Sequence, residues 1–489
     1  MTDASSENGQ KPRGSAGLRL FREGGIYTAG LVLLRAGNFL LIPLYTSLLT
    51  KEEYGAVGVI MAVANLLTIV GMTSQTHALL RLGTDVERDD EALGRLLSTQ
   101  FTWVMGATLV LSIVAAVGWP WILPLVGGLD LWPLGVAGLA TVVGSAVFQL
   151  VLSWLQFSRQ ARAHTTLSVA RWIVLMVVVL ALLLGAKWKA EALLTATAVS
   201  FAVGSWLGWR TLPKGVRLGL VDRAVLRQAL AYGLPILPHG LAGVIFLATD
   251  RTLLAAHEGL GAVGIYELAA KLASVVFMIA MGMQKAWIPF FFREDREAEA
   301  HGWSRVRTLS FFAVSMVACV AVGIGLLAPE LVAIAGPDSY AEAAAVVPIL
   351  AGANFVRDYY LVAVAVVMAE NATARWVAAA TLPGAALNIV LNAWWIPEHG
   401  VYGAAWGTAV SYGLTVVLAG LLARRARQIP FKYGRALVLF GMVAATLWAG
   451  SGATLPVRIG LGLLFAVALL ALDGKDLWAA AQTVRRRRG

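Results

Sequence analysis

Apolar stretches of about 20 residues recur along the chain and are separated by short polar segments. A helix of that length crosses the hydrocarbon core of a bilayer, which is about 30 Å thick. The pattern therefore predicts an all-α polytopic membrane protein with about fourteen transmembrane helices. The predicted spans are residues 25–48, 54–80, 96–117, 134–156, 165–184, 191–209, 229–256, 262–290, 309–328, 343–368, 376–396, 402–423, 436–450 and 457–472.

The composition excludes a soluble protein. Hydrophobic residues make up 58% of the chain and charged residues 14%, whereas soluble domains carry about 25% charged residues. The sequence has no phosphate-binding loop, zinc-ligand spacing or nucleophile elbow. Its lone Cys319 lies within a predicted span, which excludes disulfide and metal-thiolate sites. We therefore expect neither an enzyme nor a bound metal or cofactor.

The basic residues fall almost entirely in alternate loops. Loops rich in lysine and arginine stay on the cytoplasmic side of a membrane, so we expect both termini to be cytoplasmic. The outer loops then keep only Lys51, Lys187, Lys189 and Arg458. The net charge of +11 reflects this topology, and we expect no nucleic-acid binding because the chain has no basic soluble face with interleaved aromatic residues.

The longest polar connection in the middle of the chain separates the first six predicted spans from the next six. The second span of each half begins with the same residues, Gly-Ala-Val-Gly, at 55–58 and 261–264. Because six spans return the chain to its starting side, the two six-helix bundles would share an orientation and be related by a pseudo-two-fold axis along the membrane normal. The predicted organisation is a cytoplasmic N-terminal segment (1–23), a six-helix N-lobe (24–209), a cytoplasmic linker (210–228), a six-helix C-lobe (229–423), a cytoplasmic loop (424–435), two additional helices (436–472) and a basic cytoplasmic tail (473–489).

Prolines mark possible bends in both halves. Pro43 lies late in the first predicted span, and Pro235 and Pro238 lie early in the seventh. Each removes a backbone donor and bends its helix, as expected of hinges that flex during alternating access. Prolines are also commoner in transmembrane helices than in soluble ones, and the sequence leaves both interpretations open.

Several charged residues lie at predicted bilayer depth, where each costs at least about 2.5–3.5 kcal/mol and usually faces a cavity or a partner. Glu267 and Lys271 have the i,i+4 spacing of a self-neutralising pair on one helix face. The other charged residues of interest are Arg35 in the first span, Arg81 at the end of the second, the neighbours Asp250 and Arg251 in the seventh, and the neighbours Arg357 and Asp358 in the tenth.

Neighbouring side chains diverge by about 100° on a helix, so at least one member of each adjacent pair is free to find another partner. Arg35 has no acidic residue within its own span. It faces either a ligand in a central cavity or a carboxylate on another helix, such as Asp250, Asp358 or Glu370. A cavity with several cations in an apolar wall suits a compact anion such as phosphate or diphosphate.

Three segments of the chain carry a family resemblance. The chain resembles the bacterial polysaccharide-repeat-unit flippases, the oligosaccharide-lipid or Wzx-like family, in the MATE-like MOP transporter superfamily. The segments are 42–55 with its Glu-x-Tyr-Gly turn, the seventh and eighth spans with 232–235, 249–251, 263–266 and 287–290, and the block 387–405 with its asparagines followed by Ile-Pro-x-x-Gly-x-x-Gly-Ala-Ala.

The resemblance implies that the protein carries a polyprenyl-diphosphate-linked oligosaccharide from the inner to the outer leaflet of the bacterial plasma (inner) membrane by alternating access, for cell-surface polysaccharide biosynthesis. The bilayer and the polysaccharide polymerase machinery would be its other partners. By depth and residue type, the cations nominated for the anionic headgroup are Arg35, Arg81, Arg251, Lys271 and Arg357. The residues that match family motifs, and that we interpret as hinge, cap or packing positions, are Gly55, Asn388, Asn392, Pro397 and Gly400.

The energy source stays open at the level of sequence. An anionic headgroup moving outward gains about 2.3 kcal/mol per charge per 100 mV of a membrane potential that is negative inside. Antiport of protons or sodium would instead need an acidic residue that changes partner, and the candidates are Asp250, Glu267 and Asp358. Two alternative functions remain: a MATE-type cation-coupled multidrug antiporter, which would favour buried acids over bases, and a membrane polysaccharide polymerase or ligase, which would usually have a large outer loop.

Overall fold

The computed structural model of the chain describes residues 33–34, 36–301, 303–369, 374–426 and 433–486. Every regular element in these residues is helical, which confirms the predicted all-α fold. The longer α-helices of the first half are α1 (Ile42–Leu48), α2 (Lys51–Met72), α3 (Gln75–Val86), α4 (Asp90–Val117), α5 (Val136–Phe157), α6 (Ala161–Leu180) and α7 (Ala190–Trp209). Those of the second half are α8 (Arg223–Gly233), α9 (Leu237–His257), α10 (Leu260–His301), α11 (Ser304–Leu326), α12 (Ala328–Ala335), α13 (Ala343–Ala369) and α14 (Ala374–Ala426), followed by α15 (Tyr433–Gly450) and α16 (Leu455–Arg486).

The number of membrane spans is only partly defined. Ten helical segments among the described residues are long and apolar enough to cross a membrane, or eleven if α8 and α9, which meet at a bend of 59°, form one span. Helix α14 is broken at Gly400, with φ 52° and ψ −131°, between the predicted spans 376–396 and 402–423. The start of the predicted first span, residues 25–32, lies outside the described residues, and the rest of the span contains the apolar helix Ala36–Leu48. The helices are those of a multi-pass membrane protein, and the number fourteen stays a prediction.

Helix α2 joins the two halves of the molecule. It begins at a capping box, in which the Thr50 hydroxyl accepts from the Glu53 backbone N–H at 3.2 Å and the Glu53 carboxylate accepts from the Thr50 N–H at 2.9 Å. This arrangement satisfies two backbone donors that a helix start would otherwise leave open. Beyond the cap, α2 packs against both α9 and α10 of the second half.

The predicted second span, 54–80, consists of two helices that meet at a turn. Thr73 and Ser74 have φ angles of 47° and 58°, in the left-handed region that residues with side chains seldom adopt. The Trp103 indole donates to the Thr73 hydroxyl at 2.9 Å. A Cβ at Gly233, the last residue of α8, would overlap the Thr73 carbonyl oxygen. The break in α2–α3 therefore lies directly against the bend between α8 and α9.

The prolines lie where helices change direction. Pro235 lies between α8 and α9, and Pro238 lies in the first turn of α9, so the 59° bend agrees with the predicted effect of these two residues. Pro43 lies in the first turn of α1, and Pro397 lies within α14, just before Gly400. Flexing at these positions stays a prediction.

The connection between the halves is bound to helix α4. Backbone N–H groups of Arg217 and Gly219 donate to the hydroxyls of Ser98 and Thr102 at 2.9 and 3.0 Å. The Asp222 N–H donates to a third hydroxyl of the same helix, that of Thr99, at 3.0 Å, and the Asp222 carboxylate caps α8. The linker is therefore hydrogen-bonded to the first half as far as Asp222, the residue at which the first helix of the second half begins.

The two additional helices are bound to the second half by an ion pair. The Arg458 guanidinium donates to both carboxylate oxygens of Glu330, at 2.7 and 2.6 Å, and to the carbonyl oxygen of Leu326 at 2.6 Å. Arg458 is 6% exposed, so its buried positive charge is compensated by Glu330 rather than by water. The hydrogen bonds from Arg458 lower the pKa of the Glu330 carboxyl.

We expect Glu330→Ala to lower the free energy of unfolding by about 1–3 kcal/mol, because a buried guanidinium loses its carboxylate. Thermal unfolding in detergent measures this loss, with Glu342→Ala as the control at an exposed acid. The contribution should be complete above the ordinary carboxyl pKa of about 4.3 and lost as the pH falls through the lower pKa of the folded state. Equal melting temperatures of the two variants would contradict the proposed role of the ion pair.

Candidate functional site

A ladder of alternating charges runs between α9 and α10. Lys271 Nζ lies 3.5 Å from Glu267 Oε1, so the predicted i,i+4 pair is present. Arg251 donates to Glu267 Oε2 through Nε and Nη2, at 3.2 and 3.1 Å. Its Nη1 lies 3.7 Å from Asp250 Oδ2. Glu267 therefore lies between two cations, Arg251 and Lys271. Arg251 was predicted to find a partner other than its neighbour Asp250, and Glu267 is that partner.

Asp250 is 1% exposed and forms the inner end of this ladder. Its carboxylate accepts hydrogen bonds from the Tyr266 hydroxyl, from Asn392 Nδ2 at 2.6 Å and from the Thr408 hydroxyl at 3.1 Å. Asn392 also donates to Asn388 Oδ1 at 3.3 Å. The two asparagines, interpreted from sequence as hinge, cap or packing residues, thus belong to a polar cluster around a buried carboxylate.

A cavity of about 410 Å³ lies between the two halves, at the end of the ladder formed by Lys271. The first half contributes apolar and polar side chains from the segment Ala36–Leu48 and from α2, α6 and α7, among them Asn38, Tyr45 and Thr197. The second half contributes α10 alone, with Lys271, Ser274, Phe277 and Met278. Lys271 is the one charged residue among those that line this cavity in the described part of the chain.

Lys271 is held at the cavity wall by a residue of the first half. Its ammonium donates to the Tyr54 hydroxyl at 2.7 Å and lies 4.4 Å from the centre of the Tyr54 ring. The Lys271 side chain is nevertheless 39% exposed. An anion inside the cavity can therefore reach the ammonium.

Arg357 lies behind the cavity wall. Its guanidinium stacks 3.8 Å from the centre of the Phe277 ring, which lines the cavity, and donates to the Tyr412 hydroxyl at 3.3 Å. Its Nε lies 3.6 Å from Asp358. Asp358, together with Trp287 and Phe355, lines a second, narrow pocket. A change in the Phe277 rotamer would be needed for Arg357 to meet a ligand in the main cavity.

The remaining nominated cations are not grouped with Lys271. Arg81 is exposed and binds Asp85 one turn along α3 at 2.8 Å, and it does not line the cavity. Arg251 is enclosed by Glu267 and Asp250 rather than open to the cavity. Arg35 lies outside the described residues.

Sequence reasoning missed three polar residues within the apolar spans. Tyr266 and Thr408 bind Asp250. Arg171, in α6, stacks on Phe201 at 4.5 Å and donates to Ser200 at 3.2 Å. Arg171 carried the same signal as Arg35, a lone arginine in an apolar stretch, and could have been nominated.

The two Gly-Ala-Val-Gly segments lie against each other where α2 meets α10. A Cβ at Gly55 would overlap the carbonyl oxygen of Leu260, and one at Gly264 would overlap the carbonyl oxygen of Lys51. A Cβ at Gly58 would meet Glu267 at an ordinary distance of 3.5 Å. The start of α2 and the start of α10 are therefore in backbone contact, and we call this the glycine contact.

The described helices are those of a multi-pass membrane protein, with a cavity between its halves and buried charges beside that cavity. A family model described as polysaccharide biosynthesis protein matches residues 21–294, which is more than half of the chain, and the chain belongs to this family. This match confirms the predicted resemblance to a polysaccharide biosynthesis family. No curated protein matches the chain.

Solved structures have the same fold at low sequence identity. A structure described as lipid II flippase MurJ in an inward closed conformation is 12% identical, with a TM-score of 0.70 over 92% of this chain and 99% of that one. An inward-facing multidrug resistance MATE family transporter of the MOP superfamily is 14% identical, with a TM-score of 0.62 over 80% and 97%. An outward-facing MATE transporter is 15% identical, with a TM-score of 0.54 over 83% and 95%.

Proposed function

We propose that the protein moves a polyprenyl-diphosphate-linked oligosaccharide from the inner to the outer leaflet of the bacterial plasma membrane, for cell-surface polysaccharide synthesis. The observation that carries the proposal is the cavity between the halves, where Lys271 is the one cation among the described lining residues and the others are apolar or carry hydroxyl or amide groups. Membership of the polysaccharide biosynthesis family and the fold shared with a lipid II flippase support it.

The cavity suits the chemistry of such a substrate. A lysine ammonium is a compact point charge that binds phosphate oxygens. The hydroxyls of Ser274 and Thr197 and the amide of Asn38 can hydrogen-bond to sugars, and the apolar wall can accept the first isoprene units. Arg35 is our second candidate for the headgroup, and Arg357 is a third if Phe277 moves. Arg81 and Arg251 were nominated for the same task by type and depth, but neither lines this cavity.

Outward movement of the headgroup would be favoured by a potential that is negative inside, by about 2.3 kcal/mol per charge per 100 mV. Asp250 is our candidate for coupling to a proton or sodium gradient, because its carboxylate is buried among oxygen- and nitrogen-bearing side chains and linked to the cavity by the ladder. Glu267 and Asp358 are further candidates. Cytoplasmic termini and an association with polysaccharide polymerase machinery complete the proposal.

A MATE-type multidrug antiporter is the second candidate function. The shared fold and the carboxylates of Asp250, Glu267 and Asp358 favour it. The cation at the cavity wall favours an anionic ligand instead, because Lys271 would repel a cationic drug.

The test is translocation of a lipid-linked oligosaccharide in liposomes, read as its accessibility to a reagent confined to one leaflet. We expect the wild type to translocate the lipid, and Lys271→Met to be slower by about 10- to 100-fold, since a charge-assisted hydrogen bond contributes about 1.5–3 kcal/mol. Lys214→Met, at an exposed linker position, is the matched control. Arg35→Ala in the same assay tests the candidate outside the described residues.

Absence of translocation by the wild type, under an imposed potential and under proton and sodium gradients, would contradict the proposed function. Export of a cationic dye by the same liposomes would then favour the antiporter. Equal rates for wild type and Lys271→Met would leave the flippase function in place and exclude Lys271 from headgroup binding.

A further inference from the structure

Lys271 is bound across the boundary between the halves. It belongs to α10, and its hydrogen-bond acceptor, the Tyr54 hydroxyl, belongs to α2 of the first half. Its other partner, Glu267, lies on its own helix at 3.5 Å. The cation that a ligand in the cavity can reach is therefore also a bond between the halves.

Tyr54 cannot follow Lys271 if the lysine moves. It is 1% exposed, and its ring packs edge-on against Tyr340 with 6.2 Å between ring centres. It lies between Glu53, which caps α2, and Gly55, which forms the glycine contact. A change at the Lys271–Tyr54 bond therefore acts on the backbone contact one residue away.

Loss of Lys271 would not leave Glu267 without a partner. Two hydrogen bonds from Arg251 remain on the Glu267 carboxylate, at 3.1 and 3.2 Å. The lysine has a flexible four-carbon stem, and a neutral tyrosine hydroxyl is a weaker acceptor for its ammonium than a phosphate oxygen. The ammonium can therefore exchange Tyr54 for an anion while the rest of the ladder stays in place.

We propose that Lys271 and Tyr54 form a substrate-sensitive latch: a diphosphate headgroup in the cavity takes the Lys271 ammonium from Tyr54, and the glycine contact then separates. This inference rests on the proposed function, because it takes the lipid diphosphate as the ligand. A ligand shifts a conformational equilibrium only through its different affinity for the two states. Here the ligand has a higher affinity for the state in which Lys271 has left Tyr54, because only then can the ammonium donate all its hydrogen bonds to the diphosphate.

The experiment uses the full-length protein in lipid nanodiscs. Cys319→Ser removes the native thiol, and Lys187→Cys and Glu398→Cys supply the two sites for spin labels. Both positions are exposed and lie at the end of the molecule that holds the glycine contact. Lys189 donates to the Leu48 carbonyl near the start of α2, and Gly400 lies beside Glu258 near the start of α10. Pulsed electron paramagnetic resonance gives the distance between the halves, with no lipid, with a polyprenyl diphosphate, or with an uncharged polyprenol.

In the wild type we expect the polyprenyl diphosphate, and not the polyprenol, to increase the population with the longer distance. Tyr54→Phe keeps the ring and removes the hydroxyl, so it should raise that population on the order of tenfold without any lipid. Lys271→Met should do the same and no longer respond to the diphosphate. Tyr340→Phe is the matched control, because the Tyr340 hydroxyl has no hydrogen-bond partner among the described residues, and it should behave as the wild type.

Binding of the polyprenyl diphosphate, measured separately by native mass spectrometry, distinguishes the two ways to fail. If the wild type binds the lipid and Tyr54→Phe stays as closed as Tyr340→Phe without it, the latch is overturned and the proposed function stands. If the wild type does not bind the lipid, the proposed function fails and the latch fails with it.

Discussion

Gly55→Ala is expected to slow translocation by more than tenfold, although alanine normally stabilises a helix relative to glycine by about 1 kcal/mol. The added methyl group would overlap the Leu260 carbonyl oxygen and lie 2.8 Å from the Gly264 nitrogen. Both are backbone atoms of α10, so no side-chain rotation relieves the overlap, and the helices must separate. Overpacking of this kind costs about 1–3 kcal/mol. It destabilises only the state in which the glycine contact is formed. The spin-label distance and the liposome assay measure the two consequences.

The glycine contact supplies its own controls. Gly264→Ala should reproduce the effect of Gly55→Ala, because its methyl group would overlap the Lys51 carbonyl oxygen from the opposite side. Gly58 lies one turn further along α2. The methyl group of Gly58→Ala would lie 3.5 Å from Glu267, an ordinary contact distance, so this variant should retain most activity. If Gly55→Ala and Gly58→Ala transport equally well, the backbone contact does not limit the transport cycle.

Asp250→Ala is expected to lower the free energy of unfolding by about 3–5 kcal/mol, the range for breaking a buried ion pair. The Tyr266 and Thr408 hydroxyls would lose this acceptor, the Asn392 amide would keep only Asn388 as an acceptor, and Glu267 would be the one remaining carboxylate on Arg251. Thermal unfolding measures the loss. Asp85→Ala is the matched control, since its partner Arg81 is exposed and exposed ion pairs contribute about 0–1 kcal/mol.

Asp250→Asn separates stability from energy coupling, because the amide keeps the shape and removes the charge. If Asp250 couples transport to a proton or sodium gradient, this variant should respond to an imposed membrane potential and no longer to the ion gradient. A response to both, equal to that of the wild type, would exclude Asp250 from coupling and direct attention to Asp358.

The long apolar stretches were sufficient to predict an all-helical, multi-pass membrane protein, because a bilayer requires long apolar segments whatever they pack against. It did not predict the turn at Thr73 and Ser74. That turn is stabilised by Trp103 and by the close approach of Gly233, both distant in the sequence. The break at Gly400 was easier to foresee, since a proline and a glycine lie between two apolar stretches.

The charged site was predictable only where both partners share a helix. Glu267 and Lys271 follow from spacing alone, whereas the bonds from Arg251 to Glu267 and from Thr408 to Asp250 depend on which helices are neighbours. Periodicity identifies the buried face of a helix and not the helix that covers it. For the same reason the resemblance located Asn388 and Asn392 without indicating that they surround a carboxylate.

The hydroxyls of α4 that bind the linker determine where the chain can be divided into two polypeptides. A cut after Leu220 would leave the bonds of Arg217 and Gly219 to Ser98 and Thr102 within the first fragment. The second fragment would keep Asp222 as the cap of α8. Two genes that encode these fragments would thus give pieces with intact ends, joined in the membrane by the glycine contact and the Tyr54–Lys271 bond, whereas a cut after Arg210 would remove the linker from the helix that binds it.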